Sequence, residues 1–205
     1  MPNTMENFRI RNFPRGFENI VRSWFKVIHD YSDKVDGDAI YWYNERVNVG
    51  ALAAAMARND LTVVEEFVCY RGRGKKQYIG RGDISFYYHN QWYLAEAKMY
   101  WPNLTSRTKL STAQQYLDKS LDDVKKIWQN DKDSLPFGLT FIVPRIKLAD
   151  EDHIQELIEA YLDQLDDYQH CDIWAYCAPG KLRRLKSDLT DLFYPLVIML
   201  GKKLA

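Results

Sequence analysis

The segment Ile79–Trp101, IGRGDISFYYHNQWYLAEAKMYW, constrains this chain more than any other. Two runs of aromatic and β-branched residues flank His89-Asn90. Asparagine tolerates the left-handed backbone that a two-residue hairpin turn requires. With His89 and Asn90 as the central turn residues, Tyr88 faces Gln91, Tyr87 faces Trp92, and the count runs outward until Asp83 faces Glu96. Directly opposed residues share a face of the sheet, and like charges there are destabilising. Lys98, two residues past Glu96, falls on that same face. The pair therefore needs a shared proton, a cationic side chain or a bound metal ion. Mg²⁺ favours hard oxygen ligands and is commonly held by one or two carboxylates, which makes a metal site the expectation. A one-residue slip of register would separate the acids.

The surrounding elements place this hairpin in an α/β fold. One helix is expected within Pro14–Ile28 and a second over Ala39–Arg58, whose GALAAAMA stretch favours helix and close packing. LTVVEEFVCYR (Leu61–Arg71) reads as a strand, followed by strands over Tyr78–Tyr88 and Gln91–Tyr100. Leu110, Ala113, Leu117, Leu121, Val124 and Trp128 recur at helical spacing, predicting a helix over Thr108–Gln129. LTFIV (Leu139–Val143) predicts a fourth strand, Ile154 to Leu165 a helix, CDIWAYC (Cys171–Cys177) a fifth strand, and Asp188 onward a last helix interrupted at Pro195. The order α, β, β, β, α, β, α, β, α implies a mixed sheet flanked by helices in one domain of 205 residues. Its expected parts are an N-terminal helical extension (1–37), a core bearing the hairpin (38–145), and a helix-strand-helix addition (146–205).

Composition narrows the function classes. Twenty-eight basic residues balance 28 acidic ones, which argues against a protein that coats nucleic acid by bulk charge. The charge is uneven, however: RGRGKKQYIGR (Arg71–Arg81) holds five basic residues and no acid, whereas Asp150–Asp167 holds eight acids and no Lys or Arg. A neutral total can hide one basic face. The apolar run Leu192–Leu200 is too short to span a bilayer. Three cysteines without a CxxC pair predict buried thiols in a reducing cytoplasm.

Asp83 followed by Glu96-Ala97-Lys98 on an antiparallel hairpin resembles the signature of the PD-(D/E)xK, or restriction-endonuclease-like, nuclease superfamily. The resemblance covers roughly half the chain and is nearest to Holliday-junction resolvases and restriction endonucleases. It implies an αβββαβ core and Mg²⁺- or Mn²⁺-dependent hydrolysis of DNA phosphodiesters by an endonuclease. Asp83, Glu96 and the Ala97 carbonyl would hold the ion, Lys98 would position the attacking water and favour its deprotonation, and Glu45 on the preceding helix would support the metal shell or a second ion. Gly82 stands where that signature usually has proline. Gln114 and Gln115 are candidate residues at the edge of the site, although Tyr116 does not have the spacing of the exonuclease branches.

Arg71, Arg73, Lys75, Lys76 and Arg81 are candidates for phosphate binding, with glycines permitting close backbone approach. The alternative for this stretch is a solvated hairpin tip. Glu65 and Glu66, being adjacent on a strand, are expected to face opposite ways. The aromatic pairs are expected mainly in the core. DNA is the expected partner, a homodimer is the oligomer to consider with the C-terminal apolar segment as its interface, and neither a membrane nor an organic cofactor is expected. The rival to the enzyme is a catalytically inactive nuclease-like fold that binds nucleic acid or serves in an assembly.

Overall fold

Antiparallel neighbours need only tight turns, but a parallel pair needs a crossover, and one helix of this chain supplies it. The computed structural model describes residues 4–187 and 190–204. Strand β1 (Met5–Ile10) leads to helices α1 (Phe17–Lys34) and α2 (Glu45–Ala57), then to β2 (Thr62–Arg71), β3 (Tyr78–Tyr88) and β4 (Gln91–Tyr100). Helix α3 (Gln114–Trp128) crosses to β5 (Leu135–Ile142), which runs parallel to β4. Short β6 (Ile146–Lys147), helix α4 (Ile154–Leu162), β7 (Ile173–Ala178), short β8 (Leu192–Phe193) and β9 (Val197–Lys203) complete the chain.

The main sheet has seven strands in the order β1-β7-β9-β5-β4-β3-β2, and every pairing in it other than β4/β5 is antiparallel. Helices α1 and α2 cover one face; their buried side chains, Trp24, Ile28, Leu52 and Met56 among them, pack on Ile84, Phe86, Ala95 and Ala97. Helix α4 and the start of α3 cover the other, against Trp174, Ile198 and Leu200. The fold is thus an α/β fold with a mixed sheet between helices, as the element pattern implies. Among the described residues no helix is long and apolar enough to cross a membrane.

Three elements differ from the sequence expectation. The C-terminal segment is not a helix: Asp188 and Leu189 lie outside the described residues, and the rest forms β8 and β9. Strand β9 sits between β5 and β7, and Val197 to Leu200 are at most 1% exposed. A strand buried on both faces has no polar alternation, so it reads like a buried helix. Being interior, it offers no dimer interface, and the C-terminal addition contains β6, α4, β7, β8 and β9 rather than helix, strand and helix. The N-terminal extension is not wholly helical, because Met5–Ile10 pairs along β7 as the sheet's outer strand. Helix α2 starts at Glu45, later than expected, because the Asn44 side chain accepts the Val47 N–H at 3.2 Å and caps it there.

Candidate active site at a fork in the sheet

The hairpin turn is the expected one. His89 (φ 49°) and Asn90 (φ 60°) are both left-handed, the signature of a type I′ turn. The ladder pairs Tyr88 with Gln91 and continues to Ile84 with Ala95. There it stops, one pair short of Asp83 and Glu96. Beyond that point β3 pairs with β2 alone, from Gly82/Phe67 to Tyr78/Arg71, while β4 pairs with β5, from Glu96/Gly138 to Tyr100/Ile142. The sheet forks, and Asp83 stands at the branch point. Its Oδ2 accepts the Ala97 N–H at 2.7 Å, so a carboxylate replaces the missing backbone ladder.

The fork has a backbone cause. Glu66, across β2 from Asp83, has φ 51°, and the β2/β3 ladder skips it. A non-glycine residue in that region is uncommon and inverts the local backbone. Side-chain alternation changes phase there: Val63 packs in the α1/α2 core, yet Phe67 and Cys69, of the same parity, pack with Leu94 and Val124 on the α3 side. A β-carbon on Gly82 would lie 2.3 Å from the Phe67 ring. This explains the glycine where the resembling signature has proline, since Phe67 needs the space. The kink also corrects the expectation that Glu65 and Glu66 face opposite ways. Both line one small cleft of about 30 Å³ together with Glu45, Arg46, Val49 and Asp83.

Glu96 is 2% exposed and lies on the α3 side of β4. Its neutralising partner is Arg71, whose Nη2 donates to Glu96 Oε1 at 2.5 Å and also to the Arg81 carbonyl. Arg71 is itself only 13% exposed at its side chain. This corrects its assignment to the phosphate-gripping loop: the guanidinium crosses the fork and faces inward. A cationic side chain is thus one of the groups that neutralise Glu96.

Lys98 reaches Asp123 of α3 at 3.0 Å and donates to the Ala97 carbonyl at 2.9 Å. Helix α3 can come this close because Gly138, beside Glu96 on β5, lacks a β-carbon that would sit 2.5 Å from Ser120 Oγ. Asp123 was not singled out from the sequence; it reads as one of the polar residues of an amphipathic helix, and only the helix's docking, which leaves it half-buried, reveals its partner. Gln114 and Gln115 do not join the site. Gln114 accepts from the Tyr168 hydroxyl and donates to Asp118, nine residues and about 13 Å along the helix from Asp123. Gln115 is exposed.

Burial dominates the titration of this cluster. It pushes Glu96 up to about 7, with Asp83 adding to the shift and Arg71 and Lys98 opposing it. Burial likewise raises Asp83 against the Ala97 hydrogen bond and Lys98, and raises Glu45 against Lys98. For Lys98 burial acts downward, but Asp123, then Glu45 and Glu96, outweigh it and leave the ammonium more stable than usual. Lys98 is therefore a cation and hydrogen-bond donor here, not a base. Glu45, the first residue of α2, is placed by its helix start near Asp83 and Lys98.

The donor set suits a hard divalent ion. Two carboxylates and the Ala97 carbonyl offer oxygens of the type Mg²⁺ and Mn²⁺ take. Such an ion would compete with Arg71 for Glu96.

The rest of the basic stretch lies at an exposed tip between β2 and β3. Arg73, Lys75 and Lys76 are exposed and carry no ion pair among the described residues. Asn130 anchors the tip, donating to the Tyr70 and Gly72 carbonyls while accepting from Gln77. Arg81, also exposed, lies 3.7 Å from Glu66. The hairpin aromatics Tyr87 and Trp92 pair across strands at 5.4 Å, and Phe86 stacks on buried Tyr93. Compared with protein-family models, curated proteins and solved structures, the chain has no match.

Proposed function

We propose that this chain is a metal-dependent endonuclease of the restriction-endonuclease-like type, hydrolysing phosphodiester bonds in DNA at the fork. The observation that carries the reading is the meeting of Asp83, Glu96 and Lys98 where β3 leaves β4, with Glu45 of α2 beside them. Asp83, Glu96 and the Ala97 carbonyl would hold Mg²⁺ or Mn²⁺, which when bound supplies an acidified water and offsets charge on the scissile phosphate. Asp83 keeps the two strands at their branching distance through the Ala97 N–H. Lys98, held by Asp123, presents a fixed ammonium to the phosphate and its attacking water. Glu45 keeps that water oriented from the α2 side. Arg73, Lys75, Lys76 and Arg81 lie on the arm formed by β2 and β3, where they can follow the DNA backbone.

The Arg71–Glu96 pair specifically favours a second reading, in which the fold is catalytically inactive and binds nucleic acid or a partner assembly. Incubating the chain with plasmid or branched DNA separates the two. The nuclease reading expects cleavage that requires Mg²⁺ or Mn²⁺ and is lost in Asp83→Asn; binding without turnover in either ion supports the second reading.

A further inference from the structure

At the opposite edge of the sheet from the fork, β1 and β7 bring Glu6 directly across from Cys177. Helix α1 sets His29 over the pair. The His29 Nε2 is hydrogen-bonded to Glu6 Oε1, and Cys177 Sγ lies 3.6 Å from that same nitrogen. All three donor atoms lie within 4.8 Å of one another. No other group of three such ligands is this close among the described residues.

Two chemistries could use such a trio, and the geometry decides between them. A nucleophilic relay needs one ring nitrogen for the nucleophile and the other for the acid. Here both neighbours converge on Nε2, and Cys177, 0% exposed, is out of reach of a substrate. A carboxylate oxygen, an imidazole nitrogen and a thiol sulfur within 4.8 Å of one another are instead a set of donors that one ion can draw together. Zinc bonds of about 2.3 Å to sulfur and about 2.0–2.1 Å to nitrogen, set at the tetrahedral angle, place those two ligand atoms about 3.6 Å apart. The observed Sγ to Nε2 separation is 3.6 Å.

We propose that Glu6, His29 and Cys177 form a binding site for one divalent ion of the zinc class, clipping β1 and α1 to β7. A mixed sulfur, nitrogen and oxygen set selects zinc or cobalt over magnesium, so this site is chemically distinct from the all-oxygen fork and independent of the nuclease reading. On binding, Cys177 releases its thiol proton and Glu6 turns from the imidazole to the ion. The side chains of His29 and Glu6 are 27% and 33% exposed, which leaves the outer side open for a water as fourth ligand.

The test is a Co²⁺ titration of the full chain, reduced and stripped with a chelator, in millimolar Mg²⁺. The site predicts saturation at one equivalent with thiolate-to-cobalt charge-transfer absorption, erased by Zn²⁺. Cys177→Ser removes the absorption, His29→Gln weakens binding at least about tenfold, and Glu96→Gln leaves it unchanged. His29→Gln, at a partly exposed position, keeps the test decisive if the buried Cys177→Ser variant fails to fold. Absence of the absorption in the parent chain, or parental cobalt affinity in a folded His29→Gln variant, overturns the site.

Discussion

Arg71 of β2 and Glu96 of β4 form an ion pair at 2.5 Å between two strands that both neighbour β3, beyond the point where the β3/β4 ladder ends. The guanidinium stands where a divalent ion would bind the same carboxylate. Removing it should therefore cost stability but improve metal binding. Arg71→Ala leaves a buried acid without its partner, a loss of about 3–5 kcal/mol for groups this enclosed. Thermal melts in chelator should show that loss at pH 8 and a smaller one at pH 5, and Mn²⁺ should recover much of it. A variant that Mn²⁺ stabilises no more than the parent would dissociate Arg71 from the metal site.

Glu96 has its own pH signature. Its folded value, about 7, lies above the ordinary 4.5, so the folded state holds the proton more tightly than the unfolded chain. That contribution to stability is fully present below about pH 4.5 and is lost as pH rises through about 7. The difference in unfolding free energy between parent and Glu96→Gln should fall across this window by up to about 3 kcal/mol. Denaturant unfolding at several pH values measures it, and parallel curves would contradict it. Because the ion takes the carboxylate form, Mg²⁺ affinity should rise through the same window.

Lys98 acts as a positioned cation held by Asp123. Single-turnover cleavage by Lys98→Ala should be slower by about 10²–10³-fold, the loss typical of one preorganised donor, while Mn²⁺ binding persists. Asp123→Asn should cost less, because the lysine keeps its charge and loses only its tether. Equal cleavage by parent and Lys98→Ala would remove Lys98 from the chemistry.

The exposed lysines of the β2–β3 tip should contribute affinity through phosphates. Lys75→Ala with Lys76→Ala should weaken DNA binding and lower the salt slope by about 2, close to one unit per phosphate contact. Titrations across a salt series measure the slope, and an unchanged slope would mark both residues as ordinary surface.

Much of this site is legible in the sequence because a two-residue turn transmits register without error. Once His89-Asn90 is placed, counting gives the pairs from Tyr88/Gln91 to Ile84/Ala95, and it also predicts the next pair, Asp83/Glu96, which the structure does not form. What counting cannot show is where a ladder ends. The fork depends on the left-handed backbone at Glu66 and the ring of Phe67 over Gly82, and those contacts turn Arg71 inward from what reads as a solvated basic loop. Asp123 is hidden for another reason, since its partner is supplied by helix docking over Gly138. In the fold, MENFRI resembles a polar lead-in because an outer strand needs few apolar residues. Val197 to Leu200, apolar throughout, has no period by which strand and helix could be told apart.

Anomalous scattering from a crystal soaked in Mn²⁺ tests the proposed metal centre. The expected result is a peak bounded by Asp83, Glu96 and the Ala97 carbonyl, with Arg71 withdrawn from Glu96. A featureless map there at saturating Mn²⁺, with the Arg71–Glu96 pair intact, would contradict it.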